Sequence, residues 1–354
     1  ILPAETRYAG TLVGGVSGID YDPHRGQYVA ISDDRSENGP ARYYQLTLDL
    51  SKFSRSNSPG AGGVLFTGVT TLQTPTGGVF PAGTVDPESI RLRRTANGTT
   101  ILWTNEGVRS GSAYQPPTLR EMTSGGMHMR DFAVPPAYLP EGSAGANARG
   151  DIGIRNNLAF ESLTLSLDGN RAYIATENAL AQDGPKTSLA TGSPSRVAEF
   201  SLDSGQRTSE FVYEVEPIGR APSLPGGSAD NGLTELLAVG ERRFIALERS
   251  YVQGMGNRIR LYLTDASTAT DVSGLNALAG AHYTPMAKTL LLDLADLRND
   301  DGSALKLDNV EGITFGPEVD GQRTLLLVSD NNFSGRQLTQ FIALTVEGDF
   351  VTPR

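Results

Sequence analysis

The feature that most constrains this chain is an internal repeat. The segments VSGIDYD (Val16–Asp22), PESIRLR (Pro87–Arg93), FESLTLS (Phe160–Ser166), TELLAV (Thr234–Val239) and VEGITFG (Val310–Gly316) each place one polar residue ahead of an aliphatic run. The polar residues are Ser17, Glu88, Glu161, Glu235 and Glu311, spaced 71, 73, 74 and 76 residues apart. Each segment is followed by a second apolar run that ends in polar residues. These runs are YVAISDD (Tyr28–Asp34), ILWTNE (Ile101–Glu106), AYIATEN (Ala172–Asn178), RFIALER (Arg243–Arg249) and LLLVSDN (Leu325–Asn331). Turn-forming residues separate the two runs: DPHRG at Asp22–Gly26, ANG at Ala96–Gly98, SLDGN at Ser166–Asn170, VGE at Val239–Glu241 and PEVDG at Pro317–Gly321. Asn-Gly or Asp-Gly between short apolar runs is the signature of a β-hairpin.

Further strand-like runs follow in each repeat, among them Ala41–Leu50, Ser195–Asp203, Asn257–Asp265 and Gln340–Val346. About four antiparallel strands per repeat is a propeller blade, and repeats of this length mark a closed array. The sequence therefore predicts an all-β fold, a five-bladed β-propeller with six blades as the alternative, forming a single domain over residues 1–354. The apolar stretch Arg7–Val13 is expected to pair with the C-terminal blade and close the ring, which would remove exposed strand edges. One helix is expected near Asp293–Asn299. The 41 glycines and 20 prolines fit a turn-rich chain of short strands.

Composition excludes several functions. Without cysteine, the chain has no disulfide, thiolate zinc site or cysteine nucleophile. A net charge of −10 disfavours a nucleic-acid partner, which needs a basic surface. No apolar run approaches the roughly 20 residues of a membrane-spanning helix. No G-x-S-x-G nucleophile elbow occurs. His24 and His128 suit general acid–base chemistry by residue type, but no partner pattern accompanies them. The chain opens on Ile1, so a secreted or periplasmic protein that has lost a signal peptide is expected, a trimmed chain being the other reading. A monomer is expected.

In a propeller the equivalent position of each blade converges on the axis. Ser17, Glu88, Glu161, Glu235 and Glu311 would then face one another. One such glutamate alone reads more readily as a turn cap or an arginine partner. Four in register, with Ser17 as an oxygen ligand in the remaining repeat, favour a hard cation, because crowded carboxylates repel and need compensation. Ca²⁺, with six to eight loosely arranged oxygen ligands, suits them better than Mg²⁺ or zinc. A second set lies at the strand ends: Asp33, Asp34, Glu106, Glu177, Glu248 and Asp330 as candidate catalytic carboxylates. Asn105, Asn178, Asn331, Arg35, Arg249 and Arg336 are candidate contacts to substrate, with Arg109 nearby. Arginine binds phosphate or carboxylate in a bidentate fashion, although each of these groups is also at home in a solvated loop.

The segments NLAFESLTLSLDGNRAYIATEN, ERSYVQGMGNRIRLY and DNVEGITFGPEVDGQRTLLLVSDNNFSGRQLTQFIAL resemble the bacterial phytase-like family, described by the esterase-like activity of phytase. The likeness runs from SGIDYD to the C-terminus. It implies an exported β-propeller related in chemistry to calcium-dependent β-propeller phytases, and so hydrolysis of a small anionic phosphoric ester. Those phytases have six blades, however, and five blades with a Ser/Glu ring look more like calcium-activated nucleotidases. Lysine occurs only at Lys52, Lys186, Lys288 and Lys306, which argues against a substrate as anionic as myo-inositol hexakisphosphate. A lactonase or carboxylesterase, or a calcium-stapled binding module without activity, are the alternatives, since fold alone does not decide function.

Overall fold

A computed structural model describes residues 1–60, 62–111 and 113–347. It shows an all-β chain with the arrangement of a five-bladed β-propeller. In each blade the strands hydrogen-bond in chain order. The first blade is Val16–Asp22, Gln27–Ser32, Arg42–Leu48 and Val64–Thr71, and the second is Pro87–Thr95, Gly98–Asn105, Thr118–Thr123 and His128–Asp131. The third is Phe160–Leu165, Arg171–Thr176, Ser193–Ser201 and Arg207–Val215. The fourth is Ala229–Gly240, Arg243–Val252, Gly256–Asp265 and Ala287–Asp293. Among the described residues the fifth has three strands, Asn309–Phe315, Arg323–Asp330 and Phe341–Val346.

The expected role of Arg7–Val13 is corrected. Arg7–Tyr8 pairs with Thr11–Leu12 in a small hairpin of its own and adds no strand to the fifth blade. Gly10, at φ +85°, makes this tight reversal possible, and the reversal leaves the segment too short to run along another strand. The N-terminal tie lies earlier, where the Leu2 amide donates to the Thr339 carbonyl at 2.9 Å. The expected helix at Asp293–Asn299 shrinks to a 3₁₀ turn, Leu294–Asp296, capped by the Asp293 carboxylate on the Ala295 amide.

Among the described residues the chain divides into two compact units: residues 1–103, 121–130 and 293–347; and residues 104–120 with 131–292. In the first unit, the second strand of the first blade shows why its sequence is apolar throughout. Side chains alternate along a strand. Tyr28 and Ala30 pack with Leu326 and Val328 of the fifth blade, whereas Val29 and Ile31 pack with Ile90 and Trp103 of the second. A strand buried on both faces needs apolar residues at every position, each large one contributing about 1.5–3 kcal/mol. The second unit repeats the pattern. Tyr173, Ala175 and Val197 of the third blade pack on Leu236, Ala238 and Phe244 of the fourth.

Candidate functional site

In three repeats the polar residue stands where the innermost strand breaks its ladder. In the first blade Val16 pairs with Ser32 and Gly18 with Ile31, so Ser17 is skipped in a β-bulge. Glu161 is skipped between Phe160 and Ser162, and Glu311 between Val310 and Gly312. A bulge re-aims one side chain out of the alternating pattern, which makes it a good place to present a ligand atom.

The fourth blade departs from the expected register. Leu233 pairs with Glu248 and Glu235 with Leu247, so the skipped residue is Thr234. Glu235 takes the position held by Gly18, Ser162 and Gly312 elsewhere, one step out of line with Ser17, Glu161 and Glu311. A one-residue shift moves a side chain to the opposite face. Fully buried, Glu235 accepts the Leu163 amide of the third blade at 2.8 Å and the Leu236 amide at 3.1 Å. At the strand ends the same slip sets Arg249, not Glu248, in line with Asp33, Glu177 and Asp330.

Within the first unit the site residues gather around Asp33. Burial, and then the carboxylates of Asp330, Glu311 and Asp86, push the Asp33 carboxyl well above the usual range, against the pull of Arg35. Asp86 also brings a carboxylate oxygen within 4.8 Å of one from Glu88. Arg35 reaches Asp86 at 2.5 Å. Asn309 donates to Glu311 Oε1 at 2.9 Å and Asp330 Oδ2 at 3.2 Å, bridging the two acids. Ser17 Oγ donates to the Glu88 carbonyl at 2.6 Å, linking the innermost strands of two blades. Asn331 Oδ1 accepts the amides of Gly15 and Phe333, each at 3.0 Å. Gly15 has φ +61°, and a Cβ there would lie 1.9 Å from Asp33 Oδ1, so only glycine lets the chain pass this carboxylate. Arg336 is exposed on the loop beyond Asp330.

Asp34 is engaged elsewhere. It accepts the amides of Glu37 and Asn38 at 2.8 and 2.9 Å and pairs with buried Arg42 at 2.7 Å.

In the second unit the expected residues spread over several networks. Burial pushes the Glu177 carboxyl up to about 7; Arg249, 3.3 Å away, opposes this, and Asp230 adds to it. Arg249 also donates to Asp230 at 2.8 Å. A Cβ on Gly232 would lie 2.1 Å from Glu177 Oε1, so this carboxylate sits against bare backbone. Glu248 is fully buried and heavily bonded: it takes Lys288 Nζ at 2.5 Å and Tyr213 and Asn231 at 2.9 Å each. Lys288 lies over the rings of Tyr213 and Tyr262. Asn178 bridges the Asn231 carbonyl and the Thr187 amide, and Glu106 accepts the Ala159 amide at 2.8 Å. Asn105 is buried and donates weakly, at 3.5 Å, to the Pro116 carbonyl. Arg109 is fully buried and donates to the carbonyls of Glu141, Ser143, Ile152 and Ile154, pinning the loop that surrounds it. His24 is exposed.

Sequence reasoning missed Asp86 and Asn309. Both stand two residues ahead of a repeat glutamate, Glu88 and Glu311, and that shared polar position was the available signal.

The cluster around Asp33 offers carboxylate oxygens, and burial and then its neighbours' negative charge raise the pKa of the Asp33 carboxyl. That donor set and that charge imbalance fit a hard cation such as Ca²⁺.

The sequence profile of the phytase-like family, described as "Esterase-like activity of phytase", matches residues 11–333. The chain belongs to this family. No curated protein matches it. Among solved structures, a thermostable family-43 glycoside hydrolase is similar at 11% identity, with 99% of this chain and 98% of that chain covered and a TM-score of 0.46. A Kuenenia stuttgartiensis hydrazine synthase chain is similar at 12% identity, 97% and 100% coverage and a TM-score of 0.40. The Dos1 propeller is similar at 7% identity, this chain spanning 66% of its length, with a TM-score of 0.37. Among the described residues no helix is long and apolar enough to cross a membrane.

Proposed function

We propose that this phytase-like protein is an exported, calcium-dependent hydrolase of phosphoric esters, acting at the cluster around Asp33. The observation that carries the reading is the crowding of Asp330, Glu311 and Asp86 on a carboxyl already pushed up by burial. Family membership supports ester hydrolysis as the reaction class. Asp33, Asp86, Glu88, Glu311 and Asp330 would hold the cation, with the Ser17 hydroxyl at the same strand end. A bound cation would polarise the phosphoryl oxygens and lower the pKa of a coordinated water. The protein's own part is to fix these oxygens on bulged strands of a rigid array and to offer Arg35 and Arg336 to the phosphate. A carboxylic ester or lactone is the second reading, favoured by the scarcity of lysine and by the esterase-like description of the family.

Hydrolysis of p-nitrophenyl phosphate, bis-p-nitrophenyl phosphate, phytate and p-nitrophenyl acetate, each with calcium and with EGTA, tests this. Calcium-dependent phosphate release that falls at least a hundredfold in Asp33→Asn and Glu311→Gln is expected. Turnover of the acetate alone selects the second reading. A folded protein that binds calcium and turns over none of the four is a binding module instead.

A further inference from the structure

We infer that Arg35 is a resident counter-ion that changes partners, so that cation binding and anion binding are coupled at this site. The inference rests on the cation site proposed above. Arg35 spans two environments: its guanidinium meets Asp86 at 2.5 Å, and while Asp86 is 2% exposed, the arginine side chain is 39% exposed. Its base is fixed on both sides. The Arg35 carbonyl accepts the Gly83 amide at 2.8 Å, and the preceding Asp34 is locked by Arg42 and two backbone amides. The backbone is therefore anchored, and the change of partner is confined to the long side chain.

In this state the guanidinium supplies positive charge to a crowded set of acids, acting on Asp33 as well as Asp86. A divalent cation taking the same carboxylates competes directly with it. Displaced from Asp86, the guanidinium keeps its base beside the cluster and turns its fork of donors toward solvent, where a phosphoryl group bridging to the cation is the matching acceptor. The cation thus creates the anion site, and by linkage the anion must tighten the cation by the same factor. A lysine would do this less well, lacking the planar fork, which agrees with a site built on arginine in a lysine-poor chain.

Calcium affinity is measured by chelator competition on the full chain, with and without inorganic phosphate below its precipitation limit, for the wild type, Arg35→Gln and Arg35→Lys. In the wild type, phosphate should tighten calcium by about tenfold, within the usual range of coupling between sites. Arg35→Gln should bind calcium more tightly than the wild type, also by about tenfold, and lose most of the tightening by phosphate, keeping only what direct contact with the cation supplies. Arg35→Lys should fall between the two. Unchanged or weaker calcium binding in a folded Arg35→Gln protein, or phosphate coupling undiminished by the substitution, overturns the inference and leaves the cation site standing. No calcium binding by the wild type removes the cation site itself, and the inference with it.

Discussion

Asp33 and Asp34 are chain neighbours with opposite situations. The Asp34 carboxylate has every need met: two backbone amides and a buried arginine. Asp33 is surrounded by charge of its own sign. Removing one member of a buried ion pair strands the other, at a cost of about 3–5 kcal/mol. Arg42 keeps bonds to the Leu12 and Pro40 carbonyls, so Asp34→Asn should fall near the lower end. Urea unfolding should show that loss while calcium affinity stays at the wild-type level; lost affinity in the folded variant would return Asp34 to the site. Glu177 gives a pH signature. Its folded-state pKa of about 7 lies above the ordinary 4.5, so the stability it contributes is complete below pH 4.5 and is lost as pH rises through 7. The change is on the order of 3 kcal/mol. Glu177→Gln cannot ionise, so its unfolding free energy should gain on the wild type between pH 4.5 and 7.5. Parallel pH profiles for the two proteins would contradict that sign.

At the scale of strands, glycine sets how closely neighbouring blades approach. A Cβ on Gly18 would lie 2.8 Å from both the Glu88 carbonyl oxygen and the Ser89 Cα, backbone atoms with nowhere to go. Gly18→Ala should therefore cost about 1–3 kcal/mol, as overpacking does. Gly274→Ala, with nothing within 4 Å, should stay within about 0.5 kcal/mol of the wild type. Equal midpoints for the two variants in denaturant would mean that the innermost strands are not held at that spacing. The hairpins and their repetition were readable in the sequence because two buried faces force apolar runs and tight reversals force Asp-Gly or Asn-Gly. The register within a blade was not. In the fourth blade Thr234 and Glu235 are adjacent and both polar, and only the ladder shows which of them the bulge leaves out. Arg109 was illegible for a related reason. Charge and loop position suggest contact with a ligand, yet Arg109 spends its donors on four carbonyls of its own loop. Satisfaction by backbone leaves no trace in a sequence.

For the whole molecule, the net charge of −10 raises an alternative that any calcium effect must overcome. Cations of every kind screen an acidic surface and relieve its self-repulsion, so added salt alone raises stability. A specific site behaves differently. Above its dissociation constant, each tenfold rise in free calcium adds about 1.4 kcal/mol to the folded state, without a plateau until the unfolded chain also binds. For a chain of this size that is on the order of 2 °C in melting temperature per decade. At constant ionic strength the melting temperature should therefore climb linearly with the logarithm of calcium. Magnesium should give a shallower line, because a cluster of carboxylates on separate strands accommodates loose coordination better than a strict octahedron. Disabling two of the proposed ligands, in Asp33→Asn with Glu311→Gln, should flatten the calcium line and leave the response to sodium chloride unchanged. If the calcium slope persists in that double variant, the stabilisation belongs to the acidic surface as a whole, and the cluster around Asp33 is a buried charge network without a cation of its own.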